Sequence, residues 1–331
     1  MRKLFPLVLL CLANSSVLAL ESLDDQQLSE TTGQDGLTIS IIPAASGVKG
    51  MIGIQEIAYT DGDGFSTTIN NDSGTPISYT GPASVITNFN TNSGILLCTN
   101  TSGACTRSQN AITLKIDADG AAGVGGAAMV YAQLDLPSNV SRIKLDIANL
   151  ALRADRVVSG NIVKGTTEVQ MVQFSNGIDF NLAAPMRVGF ALGNERSSNI
   201  NMDAMINLIS ANFSSIDLGT VTWVSSGGQA NESSLRADIS LTNLDLSGAN
   251  LNLSANGLVF SKASIGPFNV RVNNVTMGNT AAAPSAAVFN GTGVGSIGSF
   301  GINNMTVTNA QVAISGLGSF RNVWSLRTGR S

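Results

Sequence analysis

The chain contains no histidine in its 331 residues. That absence removes Ser-His and Cys-His nucleophilic catalysis and most zinc sites. Charged residues make up 12% of the chain, about half the share of an ordinary soluble domain. The 18 basic residues are outnumbered by 22 acidic ones, so the clustered positive charge that nucleic-acid binding requires is missing. Aromatic residues reach 5%, and Trp223 and Trp324 are the two tryptophans. A carboxylate-only sugar-processing cleft, with its aromatic stacking surface, is correspondingly disfavoured. No stretch reaches the roughly 18 apolar residues of a membrane-spanning helix. The expectation is a non-enzymatic protein with no cofactor and no nucleic-acid partner.

The beginning of the chain carries an address. Arg2 and Lys3 precede a nearly all-apolar run over 4–12, and Val17-Leu18-Ala19 supplies a small residue for cleavage. This is the layout of a secretory signal peptide spanning 1–19, with cleavage after Ala19. Cys11 lies inside that segment, and the bulky Leu9-Leu10 before it do not suit a lipid-attachment site. Cys98 and Cys105 survive maturation, flanking a Thr-Ser-Gly turn. In an exported chain this pair reads as a disulfide. Two Asp-x-Asp-Gly stretches offer Asp61, Asp63, Asp117 and Asp119 as calcium candidates. Neither continues into a loop with a distal glutamate, and Asp-Gly is also the ordinary hairpin turn.

Residues 20–42 read as a short helix feeding a strand. Ser22 can cap the helix, Asp24 and Asp25 suit its positive end, and Thr32-Gly33 can stop it. Leu37-Thr38-Ile39-Ser40-Ile41 then alternates as a strand does. Alternation recurs over 111–117, 140–147, 167–174, 221–224, 269–277 and 305–314, between clusters of Gly, Asn, Asp and Ser. Residues 200–208 fit either a helical stripe or a strand, and their neighbours favour the strand. Residues 237–264 divide into four heptapeptides, ADISLTN, LDLSGAN, LNLSANG and LVFSKAS, apolar at their first and third positions. An odd repeat needs a bulge or corner at each step to keep one face apolar. A second repeat, Ser264-Ile265-Gly266-Pro267-Phe268, returns at Ser296–Phe300 and loosely at 316–320. The expected fold is all-β: an elongated repetitive antiparallel sheet or solenoid-like sandwich over 43–331, after a short N-terminal helix.

Two stretches carry a family resemblance. Residues 23–39, LDDQQLSETTGQDGLTI, resemble the opening of FilA-like pilus-system proteins of Gram-negative bacteria. Residues 296–307, SIGSFGINNMTV, with VAISG at 312–316, are similar to the repeated Ile-Gly-plus-strand pattern of those proteins. The resemblance implies an exported, surface- or filament-associated protein and supplies no active site.

The first functional expectation is therefore a structural or accessory component of a pilus-like surface appendage or adhesion system. It would act by strand-mediated assembly with other exported surface proteins or with itself, at the cell surface or outer membrane, with the periplasm also open. The second is a groove that binds lipid or another hydrophobic ligand, lined by the heptapeptides and by Ile143, Leu145 and Ile147. An outer-membrane barrel ranks third, because its aromatic girdles are lacking.

Overall fold

Alternating apolar and polar residues dictate strands, and strands account for every regular element among the described residues. The computed structural model describes residues 37–45, 47–61, 67–70, 76–79, 83–119, 129–159, 161–166, 168–197, 200–224, 234–254, 257–278, 294–315 and 323–327. The expected N-terminal helix, Ala19, Asp63 and the loose repeat at 316–320 lie outside them. The expected strands form, except that 140–147 is interrupted at Asp146 and divided between Arg142–Leu145 and Ile147–Arg153; Ile200–Ser210 is a strand with no helical turn. Residues Thr38–Ser331 group as one unit.

The registers define a meander with two leaves. In the first leaf, Val323–Arg327 pairs with Glu56–Asp61, which pairs with Ala83–Phe89. Met51–Gly53 pairs with Gly94–Cys98 beside them. The ladder continues antiparallel through Arg142–Leu145 and Ile147–Arg153, then Glu168–Phe174 and Ile178–Leu182. It goes on through Asn212–Val224 and Ser234–Asp245 to the later half of Gly257–Gly278 and the earlier half of Val294–Ser315. The second leaf runs Ile112–Asp119, Met129–Asp135, Arg187–Ser197, Ile200–Ser210 and Ala249–Ser254. It ends on the other halves of the same two long strands.

Each chain segment of one leaf thus continues into the corresponding segment of the other. The connections are 99–111, 136–141, 183–186, Ala211 alone and 246–248, and the two 22-residue strands cross without a break. They line up as a crease. A flat sheet cannot bury its own face, so the buried cluster here requires the leaves to face each other across that crease. Leu97, Leu182, Phe213, Leu244 and Phe268 meet Ile112 and Val140 in it. Ile143, Phe180, Ile216 and Leu241 from one leaf and Leu134 and Leu208 from the other pack around them. Phe180 and Phe213 stack edge to face at 5.8 Å between ring centres.

The repeats mark bends. Gly266 (φ 115°) and Gly298 (φ 114°) hold equivalent places in the Ser-Ile-Gly repeat, each at a register shift of the long hairpin. At Gly266 the crease brings backbone so close that a Cβ would lie 2.4 Å from the Met305 carbonyl oxygen. Glycine alone fits both the positive φ and that approach. In the heptapeptides, Asn243 takes a left-handed conformation and 246–248 forms the corner between leaves. Ser247 holds that corner: its Oγ accepts from the Ala211 N–H at 2.9 Å, and its own N–H donates to Asp245 at 2.8 Å.

The Cys98–Cys105 disulfide is present at the crease, on the side away from the main core. It packs with Met51, Leu96 and Val48. Arg142, 1% exposed, ties the loop down by donating to the Gly103 carbonyl at 3.0 Å and to Asp179 at 3.1 Å. A disulfide fits an oxidising, extracytoplasmic compartment. No helix among the described residues is long and apolar enough to cross a membrane.

Candidate apolar cleft

Paired residues of antiparallel strands point to the same side of a sheet. In the first leaf one such row reads Ile57, Thr87, Leu150, Val172, Trp223, Leu235 and Met277. A second row, farther from the crease, reads Tyr59, Val85, Leu152 and Val169. Strand Ser234–Asp245 shows which side this is. Leu235, Ala237, Ile239 and Leu241 alternate along it, and Leu241 packs in the crease core. The rows therefore extend the core's own face outward.

The second leaf repeats the arrangement. Leu114 pairs with Leu134, a crease residue. The next row out is Ile116, Ala132, Phe190, Ile206, Leu251, Phe260 and Val312. Beyond it stand Ala118, Val130 and Leu192. The reverse side of the same strands carries Lys115, Gln133, Asn207, Asn250, Ser261 and Gln311. The neighbouring reverse row, Asp117, Tyr131, Ala191, Met205, Asn252, Val259 and Ala313, is mixed, so this leaf is apolar towards its partner and of mixed polarity outward.

Burial falls with distance from the crease. Val221 and Ala237 are 2% and 3% exposed, whereas Trp223, one row away, is 38% exposed and Met277 43%. Across the cleft Ile112 is buried, but Val130 is 43% and Leu192 57% exposed. Two apolar walls thus rise from a packed floor and remain open to solvent at the rim. The longest rows span seven strands, about 29 Å at the usual strand spacing. That is close to the roughly 30 Å hydrocarbon thickness of a bilayer, or two acyl chains end to end. Tyr59 is the one titratable side chain in the inner rows named, and those rows carry no carboxylate, ammonium or guanidinium group. The heptapeptides divide between the two zones: Leu241, Leu244 and Leu246 belong to the floor, and Leu251, Leu258 and Phe260 to a half-exposed wall. Ile143 also belongs to the floor.

Charge is concentrated on the back of the first leaf. Ala58, Ile86 and Ala151 are buried there beneath Arg153. The Arg153 guanidinium donates to both Glu56 oxygens at 3.0 Å and to Asp155 at 2.6 and 2.8 Å, and lies 3.6 Å from Glu168. Lys164 adds a second cation on Glu56 at 2.7 Å, and the Gly165 N–H donates to Asp155 at 2.8 Å. Hydrogen bonding to Arg153 holds Glu56 below the usual carboxylate range, against the opposing effect of its burial. Burial pushes Asp155 up, but Arg153, the Gly165 N–H and Ser84 together outweigh it and hold the group low. Arg153 is in turn raised by its bonds to Asp155 and Glu56. The network fastens the 154–166 segment over the small buried residues. Its members lie as far as 108 residues apart in sequence, from Glu56 to Lys164, and no spacing motif announces them.

The two Asp-x-Asp stretches lie in different leaves. Asp61 ends a first-leaf strand opposite Ala83, whereas Asp117 and Asp119 lie in the second leaf opposite Tyr131 and Met129. Asp117 is exposed, and its carboxylate accepts from the neighbouring Ala118 N–H at 2.8 Å. Among the described residues no three His, Cys, Asp or Glu side chains form a group that could hold a metal ion. A polar surface hollow of about 370 Å³ lies on the back of the second leaf, lined by Asn250, Ser261, Lys262 and Gln311 among others. Lys262 there donates to the Ser247 carbonyl.

No curated protein and no solved structure matches the chain. Residues 1–120 match DUF6160, a family of unknown function, so the matched stretch runs through the disulfide loop and ends just past the first strand of the second leaf.

Proposed function

We propose that the protein is an exported binder of long-chain hydrophobic ligands, held between the two leaves. One observation carries this reading: both inner walls stay apolar for seven strands while their outer residues remain exposed. Contiguous apolar surface of that extent is characteristic of a site that something covers. Each 100 Å² of wall that a ligand covers contributes about 2.5 kcal/mol before the costs of binding. Acyl chains suit it by length and by the lack of charge on the walls. The signal-like start and the disulfide support a workplace outside the cytoplasm, and the resemblance to FilA-like proteins supports one at or near the cell surface.

Trp223 stands in the wall and reports on occupancy. In a Trp324→Phe variant it is the sole tryptophan. A dibrominated fatty acid is expected to quench its fluorescence saturably, and an unbrominated fatty acid is expected to reverse the quench. Unchanged emission at saturating, sub-micellar fatty acid would defeat the reading.

Assembly into a surface appendage is the second reading. The long margin strand Val294–Ser315 favours it, because edge pairing is a recurrent way for β proteins to join.

A further inference from the structure

Strand Val294–Ser315 forms the margin of both leaves at once. Gly257–Gly278 pairs along one side of it, and among the described residues no strand pairs along the other. Its 22 residues, VGSIGSFGINNMTVTNAQVAIS, include no Lys, Arg, Asp, Glu or Pro. Proteins ordinarily protect a long sheet edge with those residues, with bulges or by keeping it short; of these, this strand has bulges, near Gly298 and at Asn304, with regular stretches between them. Among the described residues the opposite margins, Leu37–Ile41 beside Ile112–Asp119 and Val323–Arg327, have five residues each. The long margin instead displays Ile297 and Phe300 at 63% exposure, Val312 at 60% and Ile302 at 52%. Ile302 pairs with Val270, Phe300 with Val272 and Val312 with Phe260, so three of the four continue the inner apolar rows to the edge.

The position of the crease on this strand is informative. Met305 and Val307 pack against the crease core, and the midpoint of Val294–Ser315 falls between Asn304 and Met305. An antiparallel copy of the same strand, related by a two-fold axis through that midpoint, would therefore lay crease on crease. The first leaf of one copy would run on into the second leaf of the other, with both apolar faces on the same side. A strand without charge meets its own copy with no like-charge repulsion. A head-to-tail joint would set 22 residues against five and leave most of the edge unpaired.

We propose that Val294–Ser315 is the seam of a homodimer, in which two copies of this strand pair antiparallel and make one continuous sheet. The interface is isologous, with the same patch on both copies. Main-chain hydrogen bonds and the exposed Phe300, Ile302 and Val312 side chains hold it. The proposal rests on the edge and its midpoint and is independent of whether the cleft takes a ligand.

The test uses the full mature chain with its native disulfide. Sedimentation is expected to show a dimer at micromolar concentration. A Thr306→Cys variant, its thiol next to the axis, is expected to join its own copy with a short bis-maleimide. Ser296→Cys, far from the axis, is expected not to react with its own copy. A Phe300→Glu/Val312→Glu double variant is expected to sediment as a monomer with an unchanged far-ultraviolet spectrum. A monomeric parent chain would overturn the proposal, as would a dimer that cross-links no better through Thr306→Cys than through Ser296→Cys. These readouts contain no ligand, so failure of the seam and failure of the cleft are separately visible.

Discussion

The crease and the rim are built from the same kind of residue on the same face, yet they serve different ends. Leu241 and Leu235 lie on one unbulged strand, six residues apart. Leu241, like Leu208 from the other leaf, packs against the core cluster that contains Phe213. Leu235 pairs with Trp223 and Met277, which are open to solvent. The difference is the distance to the opposite leaf. At the crease the chain itself forces the two apolar faces together; farther out only a ligand or a partner can cover them. Alternation makes an amphipathic sheet, and closure decides whether its apolar side is core or site.

Substitutions should separate the two zones. Phe213→Ala, at 5% exposure in the crease, is expected to cost about 3–5 kcal/mol of stability by leaving a cavity. Chemical denaturation would measure it, and a loss near zero would mean that the crease is not the core. Arg153→Ala tests the charged back of the first leaf. It strands Asp155, which is fully buried, and is expected to cost about 3 kcal/mol or more. The same variant should alter the acid response. Glu56 and Asp155 are held below the ordinary carboxylate range, so the unfolded chain binds more protons than the folded one in that window. Their contribution is complete above about pH 5 and is lost as pH falls below about 4 through the lowered values. Acid unfolding monitored by circular dichroism should therefore be less steep in Arg153→Ala. An identical pH profile would count against the network. The smallest effect is expected at the rim. Trp223→Ala should change stability by less than about 1 kcal/mol, since the side chain is already 38% exposed. It should still weaken displacement of a bound fluorescent fatty acid. A large loss of stability with unchanged binding would place Trp223 in the core instead.

Much of the fold was legible in the sequence. Alternation at 111–117, 221–224, 269–277 and 305–314 marks strands because a strand's side chains have period two, and each of these segments lies in one. The Cys98–Cys105 pairing was legible because the two residues flank a turn and the third cysteine, Cys11, lies far away in the signal-like start. The odd length of the heptapeptides called for corners, and the Asn243 kink and the 246–248 turn supply them. The charged network was not legible, because Glu56, Arg153 and Lys164 come together only through strand pairing. Nor was the division of the heptapeptides between floor and wall, since Leu244 and Leu251 occupy the same repeat position and differ only in their distance from the crease.

By itself, then, the sequence determined the period of the strands, the sites of the bends, the disulfide and an apolar face for each strand. All of these follow from local stereochemistry or from neighbours close along the chain. Only the tertiary structure decided which apolar faces meet, where the leaves part, how long the Val294–Ser315 margin runs, and which distant charges share Arg153. Those depend on the registers between segments far apart in sequence, such as Val323–Arg327 on Glu56–Asp61, and side-chain alternation is blind to them because every register that keeps the apolar face inward satisfies it equally well.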